Sequence, residues 1–376
     1  MTKNIIFVHP HFTIPGGAGK VTLELAKRLT KKYKVTVIAL QIFPEYLKNY
    51  PEIKFVSLNG PLTSSFTFWL NFIYWQKKLF KIIDSLVDNQ TTIIANVFPA
   101  NWLTLPYKKN NPKIRMLWYC PEPSAFIHIK KWRQSINGPL KRNIANILSP
   151  IFSIIDKKIT TNAEIILANS KYGSSLIFKI YKRTSKIIYP GTDTKKYKPI
   201  NYNQKNNTIL TISRLTKFKN IDILINAFSK IKNKQMNLII IGDGEDKENL
   251  QTLANKLHIN KRVKILSKLN DSQLINYCAH AKIFVLCSKN EPFGIVPVEA
   301  MACGTPAIVD NSGGPKETVI DGVTGKIIDM NENNLHQTLD EILDNDKLLK
   351  TWSINARNQA LKFDWSNSIN SLTKYL

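Results

Sequence analysis

Short apolar runs alternate with stretches of helical period along most of this chain. In the first half, residues 5–9, 35–40, 53–58, 92–97, 114–119 and 165–168 are apolar runs of strand length. Residues 18–32 and 79–87 place apolar side chains at helical spacing. The second half repeats the pattern, with strands predicted at 208–213, 237–241, 263–266, 283–287 and 307–309. Helices are predicted there at 221–231, 247–257, 271–279 and 295–302. Strands that alternate with helices predict an α/β chain built on parallel, doubly wound sheets, one in each half. Residues 189–203 are rich in Pro, Gly and polar side chains, show no period, and predict the link between the halves.

A length of 376 residues suits two domains with buried cores, and 43% hydrophobic content fits a globular chain rather than a disordered one. Residues 66–75 form an apolar and aromatic run of about half a membrane span, so it is expected on a surface and not across a bilayer. Ile5–Val8 is too short for a signal peptide, which predicts a cytoplasmic protein. Cys120, Cys278, Cys287 and Cys303 make no C-x-x-C pair and read as buried free thiols, with no metal site.

Charge changes this picture. The formal net charge is +26, and residues 1–190 hold 28 Lys and Arg against 8 Asp and Glu, whereas residues 191–376 hold 25 against 19. A Lys- and Asn-rich habit explains the lysines but not the asymmetry. The excess in the first half predicts attraction to an anionic membrane surface, and a peripheral place at its inner face. Candidates to meet it are Lys77, Lys78 and Lys81, and Lys130, Lys131 and Arg133. Nucleic acid is not expected: no recognition motif is present, and only eight of the 53 cations are Arg.

The densest chemistry lies in Glu291-Pro-Phe-Gly-Ile-Val-Pro-Val-Glu299. Glu291 falls in a polar loop and Glu299 in the helix that follows, with Pro297 near its start, where a missing N–H costs nothing. The amides of Phe293, Gly294 and Ile295 become donors at a helix N-terminus, a ready phosphate site. A carboxylate on either side of a phosphate site suits a ligand with hydroxyls at both ends, as in sugar–diphosphate–ribose. Arg214 and Lys219 follow a predicted strand and precede a helix, where a guanidinium fork and a mobile ammonium can neutralise a diphosphate. Asn220, after Lys219, is expected to cap the next helix. Near the N-terminus, residues 15–20 form a glycine loop between strand and helix. It lacks the glycine of a P-loop at Ile14 and the hydroxyl at Val21, and it matches a dinucleotide fingerprint poorly.

Together these motifs resemble retaining glycosyltransferases of the GT-B fold, in the family 4 group. The resemblance rests on the 291–306 segment, on Ser213-Arg-Leu-Thr-Lys-Phe-Lys219, on Ile241-Gly-Asp-Gly244, and on Gly313-Gly-Pro-Lys-Glu317 with Asp321-Gly-Val-Thr-Gly325, in the family's order. It implies two Rossmann-like domains facing each other across a cleft, residues 1–190 for the acceptor and 191–360 for the nucleotide-sugar. Residues 361–376 would cross back to the first domain. By the same resemblance Gly16 and Gly17 approach the donor, Arg214 and Lys219 clamp its diphosphate, Glu299 holds ribose, and Glu291 contacts the sugar and supports charge at the anomeric carbon. The family's histidine after the fifth strand is missing, because Pro121 stands in its place; His9, His11, Glu122 and His128 are the candidates to replace it.

The implied reaction is metal-free transfer of a hexose with retention, to a lipid-linked or envelope glycan acceptor. The Ser312–Glu317 loop, with Tyr119, Cys120, Glu122 and Pro123, looks most like mannosyltransferases that use GDP-mannose, with UDP-sugars next. A nucleotide-sugar epimerase of the same fold, or a catalytically silent binding subunit, are the rival readings.

Overall fold

The computed structural model describes residues 3–13, 16–129, 133 and 138–376. Two compact units emerge: residues 3–189 with Ser368–Leu376, and residues Pro190–Asn367. The structure class is the expected one, two parallel-sheet α/β units.

The first unit is a seven-stranded parallel sheet in the order β3-β2-β1-β4-β5-β6-β7. Its strands are β1 (Asn4–Phe12), β2 (Lys34–Ile42), β3 (Lys54–Ser57), β4 (Thr92–Asn96), β5 (Arg115–Tyr119), β6 (Ile165–Ala168) and β7 (Lys186–Ile187). Central β1 pairs Ile6 with Thr36 on one side and with Ile93 on the other. All but one of its nine residues are buried, as a strand covered on both faces must be. The two-residue edge strand β7 carries no apolar run and escapes sequence reading. Helix α1 (Gly17–Leu29) buries Val21, Leu25 and Leu29 at spacings of four. Further helices of the unit are α2 (Pro44–Asn49), α3 (Phe66–Leu70), α4 (Phe72–Asp84), α5 (Ala100–Thr104), α6 (Ala125–His128), α7 (Pro139–Thr160) and α8 (Lys171–Tyr181); of these only α4 overlaps a predicted helix, 79–87.

The second unit is a six-stranded parallel sheet in the order β10-β9-β8-β11-β12-β13. Its strands are β8 (Asn206–Ile212), β9 (Asn237–Ile241), β10 (Val263–Leu266), β11 (Ala281–Leu286), β12 (Ala307–Asp310) and β13 (Gly325–Ile328). Helix α9 (Ile221–Lys230) buries Ile221, Leu224, Ile225 and Phe228, one stripe against the sheet. Each such fully buried side chain contributes roughly 1.5–3 kcal/mol. Helices α10 (Lys247–Lys256), α11 (Asp271–His280) and α12 (Ile295–Ala302) fall within one or two residues of their predicted bounds. Helices α13 (Glu332–Leu343) and α14 (Asp346–Leu361) complete the unit.

Residues 189–203, read from sequence as the link, begin at the boundary between the units and are mostly fastened within the second. Thr192 N–H donates to Phe363 O (2.8 Å), and Asp364 Oδ2 accepts from Thr194 Oγ1 (2.6 Å). Arg357 on α14 donates to Thr194 O, Tyr197 O and Ala302 O at 2.7–3.0 Å, so one cation ties this segment to the C-terminus of α12. The last helix, α15 (Trp365–Thr373), leads into the residues grouped with the first unit, where Ser368 Oγ donates to Tyr189 O (2.6 Å).

Two buried polar groups in the first unit make measurable predictions. Asp156 on α7 is fully buried and collects Trp102 Nε1 (2.6 Å), Asn101 Nδ2 (3.3 Å), Tyr181 Oη (2.6 Å) and His128 Nε2 (2.7 Å). Removing the carboxylate strands these partners in a dry site. Asp156→Ala is expected to cost about 3–5 kcal/mol in urea unfolding, and Asp156→Asn less. A loss below 1 kcal/mol would refute the network's role.

His9 on β1 is buried, its ring stacked on Phe12 at 4.5 Å, with Nδ1 3.1 Å from His11 O. Burial, with the nearby His11, pushes its pKa down from 6.5 to about 3. Below pH 6.5 the unfolded chain therefore binds a proton that the folded chain refuses, so stability falls as pH falls. Between pH 7 and pH 5 this one site should remove about 2 kcal/mol. The same titration of a His9→Asn variant should lack that increment; equal pH slopes in the two proteins would refute it.

Candidate active site

In the second sheet the chain runs outward from β8 to β10, then returns so that β11 lies on the other side of β8. Loops leaving the carboxyl ends of β8 and β11 therefore diverge and open a crevice between them, the place where open α/β sheets bind ligands. Arg214 and Lys219 leave β8; Glu291 and the start of α12 leave β11.

The turn after β8 is knitted to the turn after β9. Ser213 N–H donates to Ile241 O (3.0 Å), Leu215 N–H to Asp243 O (2.8 Å) and Asp246 N–H to Leu215 O (3.0 Å). Gly242 is required here, because a Cβ would stand 1.8 Å from Ser213 O. On this fixed turn Arg214 is exposed, and its guanidinium has no hydrogen bond or ion pair among the described residues. A single 3-10 turn, Lys217–Lys219, follows and ends at Asn220 in the left-handed conformation, φ +50°. The expected helix cap does not form. Asn220 donates its side-chain amide to Cys287 O (3.3 Å), which ties the β8 loop to the β11 loop.

The β11 loop is locked from the other side. Asn290 N–H donates to Ser312 Oγ (2.8 Å), and Gly314 N–H to Glu291 O (2.8 Å). Ser312 is itself held by Asp310 Oδ2, while Asp310 Oδ1 accepts from Met330 N–H (2.9 Å). Gly313 has φ +78°, and a Cβ there would lie 2.5 Å from Glu291 O. Asp310 and Ser312 are positioning residues: the sequence marks Ser312 only as the start of the 312–317 loop, and Asp310, three residues before the Gly-Gly pair, carries no local signal. Helix α12 then begins at Gly294 with no side-chain cap, leaving its first-turn amides without intrahelical acceptors. Phe293 is buried beside Phe363, with ring centroids 5.8 Å apart.

These locks bring Lys219 Nζ to 2.6 Å from Glu291 Oε2, each side chain about one-fifth to one-quarter exposed. Sequence reading gave the two residues separate tasks; the structure pairs them directly. A partly exposed pair of this kind contributes about 1 kcal/mol or less, so a stronger anion can displace it. Glu299 is buried one turn into α12. Tyr197, raised in pKa chiefly by burial, is raised further by the Glu299 charge, which keeps the phenol protonated.

In the first unit, Gly16 caps α1 in extended backbone at φ −163°, and Gly17 opens the helix. Ile14 and Pro15 of that loop, and Lys130 and Lys131, lie outside the described residues. His11 is half-buried, with Nδ1 3.1 Å from Thr13 Oγ1, and burial lowers its pKa. Glu122 is exposed just after β5. His128 places its Nε2 2.7 Å from Asp156 Oδ2 within the core. Among the described residues no group of three His, Cys, Asp or Glu is placed to hold a metal ion.

Residues 193–359 match the family described as glycosyl transferases group 1. An uncharacterised glycosyltransferase of Methanocaldococcus jannaschii is 30% identical over 220 residues, a match spanning 58% of this chain and 60% of that protein's own length. The Campylobacter jejuni N-acetylgalactosamine-N,N'-diacetylbacillosaminyl-diphospho-undecaprenol 4-alpha-N-acetylgalactosaminyltransferase is 25% identical, over 96% of each chain. In fold, the chain is similar to Anabaena HepE, solved in complex with UDP and glucose, with a TM-score of 0.80 at 20% identity over 99% of this chain and 98% of that one. Residues 193–359 are thus similar to the group 1 glycosyltransferases, on two α/β units whose fold is shared with solved glycosyltransferases.

Proposed function

We propose that this protein is a glycosyltransferase, which moves a hexose from a nucleoside-diphosphate sugar to a lipid-linked or envelope glycan acceptor, with retention and without metal. The observation that carries the reading is the Lys219–Glu291 pair between the loops of β8 and β11, beside the open amides of α12. An incoming diphosphate replaces Glu291 as the partner of Lys219. Arg214, exposed on the fixed β8 turn, supplies the second cation, and the α12 amides the neutral donors. Glu291, released, faces the sugar. Glu299 takes the ribose hydroxyls.

In the reaction, the acceptor hydroxyl attacks the anomeric carbon from the face that the diphosphate leaves. The bond from that carbon to the diphosphate oxygen breaks, and the hydroxyl proton passes to the departing diphosphate. Arg214, Lys219 and the helix amides stabilise the negative charge as it develops, and Glu291 the positive charge on the sugar. The resemblance to family 4 and the 312–317 loop favour GDP-mannose. UDP-sugars are the second reading, supported by the UDP bound to the structural neighbour HepE. The name of the Campylobacter relative supports a diphospho-undecaprenol-linked acceptor. The first unit is assigned the acceptor.

Thermal stabilisation and slow hydrolysis across a panel of GDP- and UDP-sugars tests the donor. One nucleotide class should raise the melting temperature, with or without chelator; no response to any of them would sink the reading. Arg214→Ala and Lys219→Ala should each weaken donor binding by about 1.5–3 kcal/mol, roughly 10- to 150-fold. Glu299→Gln should mainly raise KM, whereas Glu291→Gln should mainly lower kcat. The opposite split would reverse the sugar and ribose ends.

A further inference from the structure

Helix α7, Pro139–Thr160, is amphipathic with its apolar side outward. Its buried side carries Ala145, Ser149, Asp156 and Thr160, spaced by multiples of about one turn. Its exposed side carries Leu140, Ile144, Ile147, Ile151 and Ile154, with Leu140 and Ile147 71% and Ile154 69% exposed. A helix in a water-soluble surface shows the reverse arrangement. A continuous apolar stripe of this length marks a surface that is covered in use.

Two features point to what covers it. Exposed Leu148 and Ile155 widen the stripe beyond the narrow seam that a second helix would need. Charge on it is of one sign: the described side chains of the helix include Arg142, Lys157 and Lys158 and a single acid, Asp156, which is buried among its hydrogen-bond donors. Two copies meeting along this face would set like charges together, whereas an anionic lipid surface complements them. The helix also shares an aromatic neighbour with a second exposed patch. Trp102 lies 5.9 Å from Phe152 of α7 and 6.3 Å from Trp69 of α3 (Phe66–Leu70), where Phe66 and Leu70 are 76% and 67% exposed. No helix among the described residues is long and apolar enough to cross a membrane.

We propose that α7 is an interfacial anchor, which lays its outward Ile and Leu stripe into an anionic membrane surface while Lys157 and Lys158 meet the headgroups. This deepens the lipid-linked acceptor reading by naming the face that would meet the bilayer, but it is tested without donor or acceptor. It also revises which cations contribute. Arg133 is buried, donating to Asn146 Oδ1 (3.0 Å) and Ile127 O (2.8 Å), and Lys78 is engaged by Leu58 O (2.8 Å); neither is available to lipid.

The test is flotation of the whole protein with phosphatidylcholine vesicles, with and without phosphatidylglycerol. The unaltered protein should float with the anionic vesicles and be released as salt is raised. The triple variant Ile147→Ser, Ile151→Ser, Ile154→Ser, altered only at exposed positions, should keep its melting temperature and partition more than about tenfold less. Lys157→Glu with Lys158→Glu should weaken binding to anionic vesicles alone. Unaltered flotation of the triple variant overturns the assignment. So does failure of the parent to bind either vesicle, or a parent dimer that the triple variant converts to monomer, since the stripe would then belong to a second copy. Loss of donor hydrolysis in a panel assay bears on the catalytic reading and leaves this one standing.

Discussion

The reversal of strand order between β8 and β11 is the constraint on which the candidate site depends. Parallel strands must be joined by crossovers, and where the direction of winding changes, two adjacent carboxyl ends send their loops apart. Residues 213–219 and 287–294 are those loops. Neither is held by apolar packing alone. Backbone amides and carbonyls of the β9 turn fix the first, and the Asp310–Ser312–Gly314 segment fixes the second. Glycines stand at 242 and 313 because backbone passes there at distances that a Cβ would block.

On that rigid frame the charged groups are only loosely committed. The Lys219–Glu291 pair is partly exposed and worth little in stability, which suits groups that must exchange partners when a ligand arrives. The contrast is with Asp156 in the first unit and Arg357 in the second. Each is wrapped by three or more fixed hydrogen-bond partners, and each joins helices or segments far apart in sequence. The same two residue classes thus act as exchangeable ligands at the sheet edge and as structural ties in the interior; solvent exposure separates the two uses.

Helix α7 shows how one element can satisfy the core and present an unusual outer face. Asp156 turns inward to the donors of Trp102, Tyr181 and His128, and Ser149 and Thr160 lie on the same buried side, each donating to a carbonyl of its own helix. Once that register is set, the helical period leaves the isoleucines outward, whatever their hydrophobicity.

The sequence by itself determined the class of the fold and most of the second unit. Continuous apolar runs and 3.6-residue periods located β9, β10 and α12 to the residue, because buried parallel strands and one-sided helices impose those periods on composition. It also located Arg214, Lys219, Glu291 and Glu299 on the loops and helix where they stand, because loop chemistry is local. The short edge strands β7 and β13 lay below any periodic signal. Tertiary structure alone decided the pairings. That Lys219 meets Glu291, that Asn220 binds Cys287 O instead of capping its helix, that His128 serves Asp156, and that residues 192–197 are tied down by Arg357 all depend on contacts across dozens of residues. The outward stripe of α7 is of the same kind: its period is written in the sequence, but which side faces the core was fixed by the buried donors that Asp156 finds, and no local pattern carries that information.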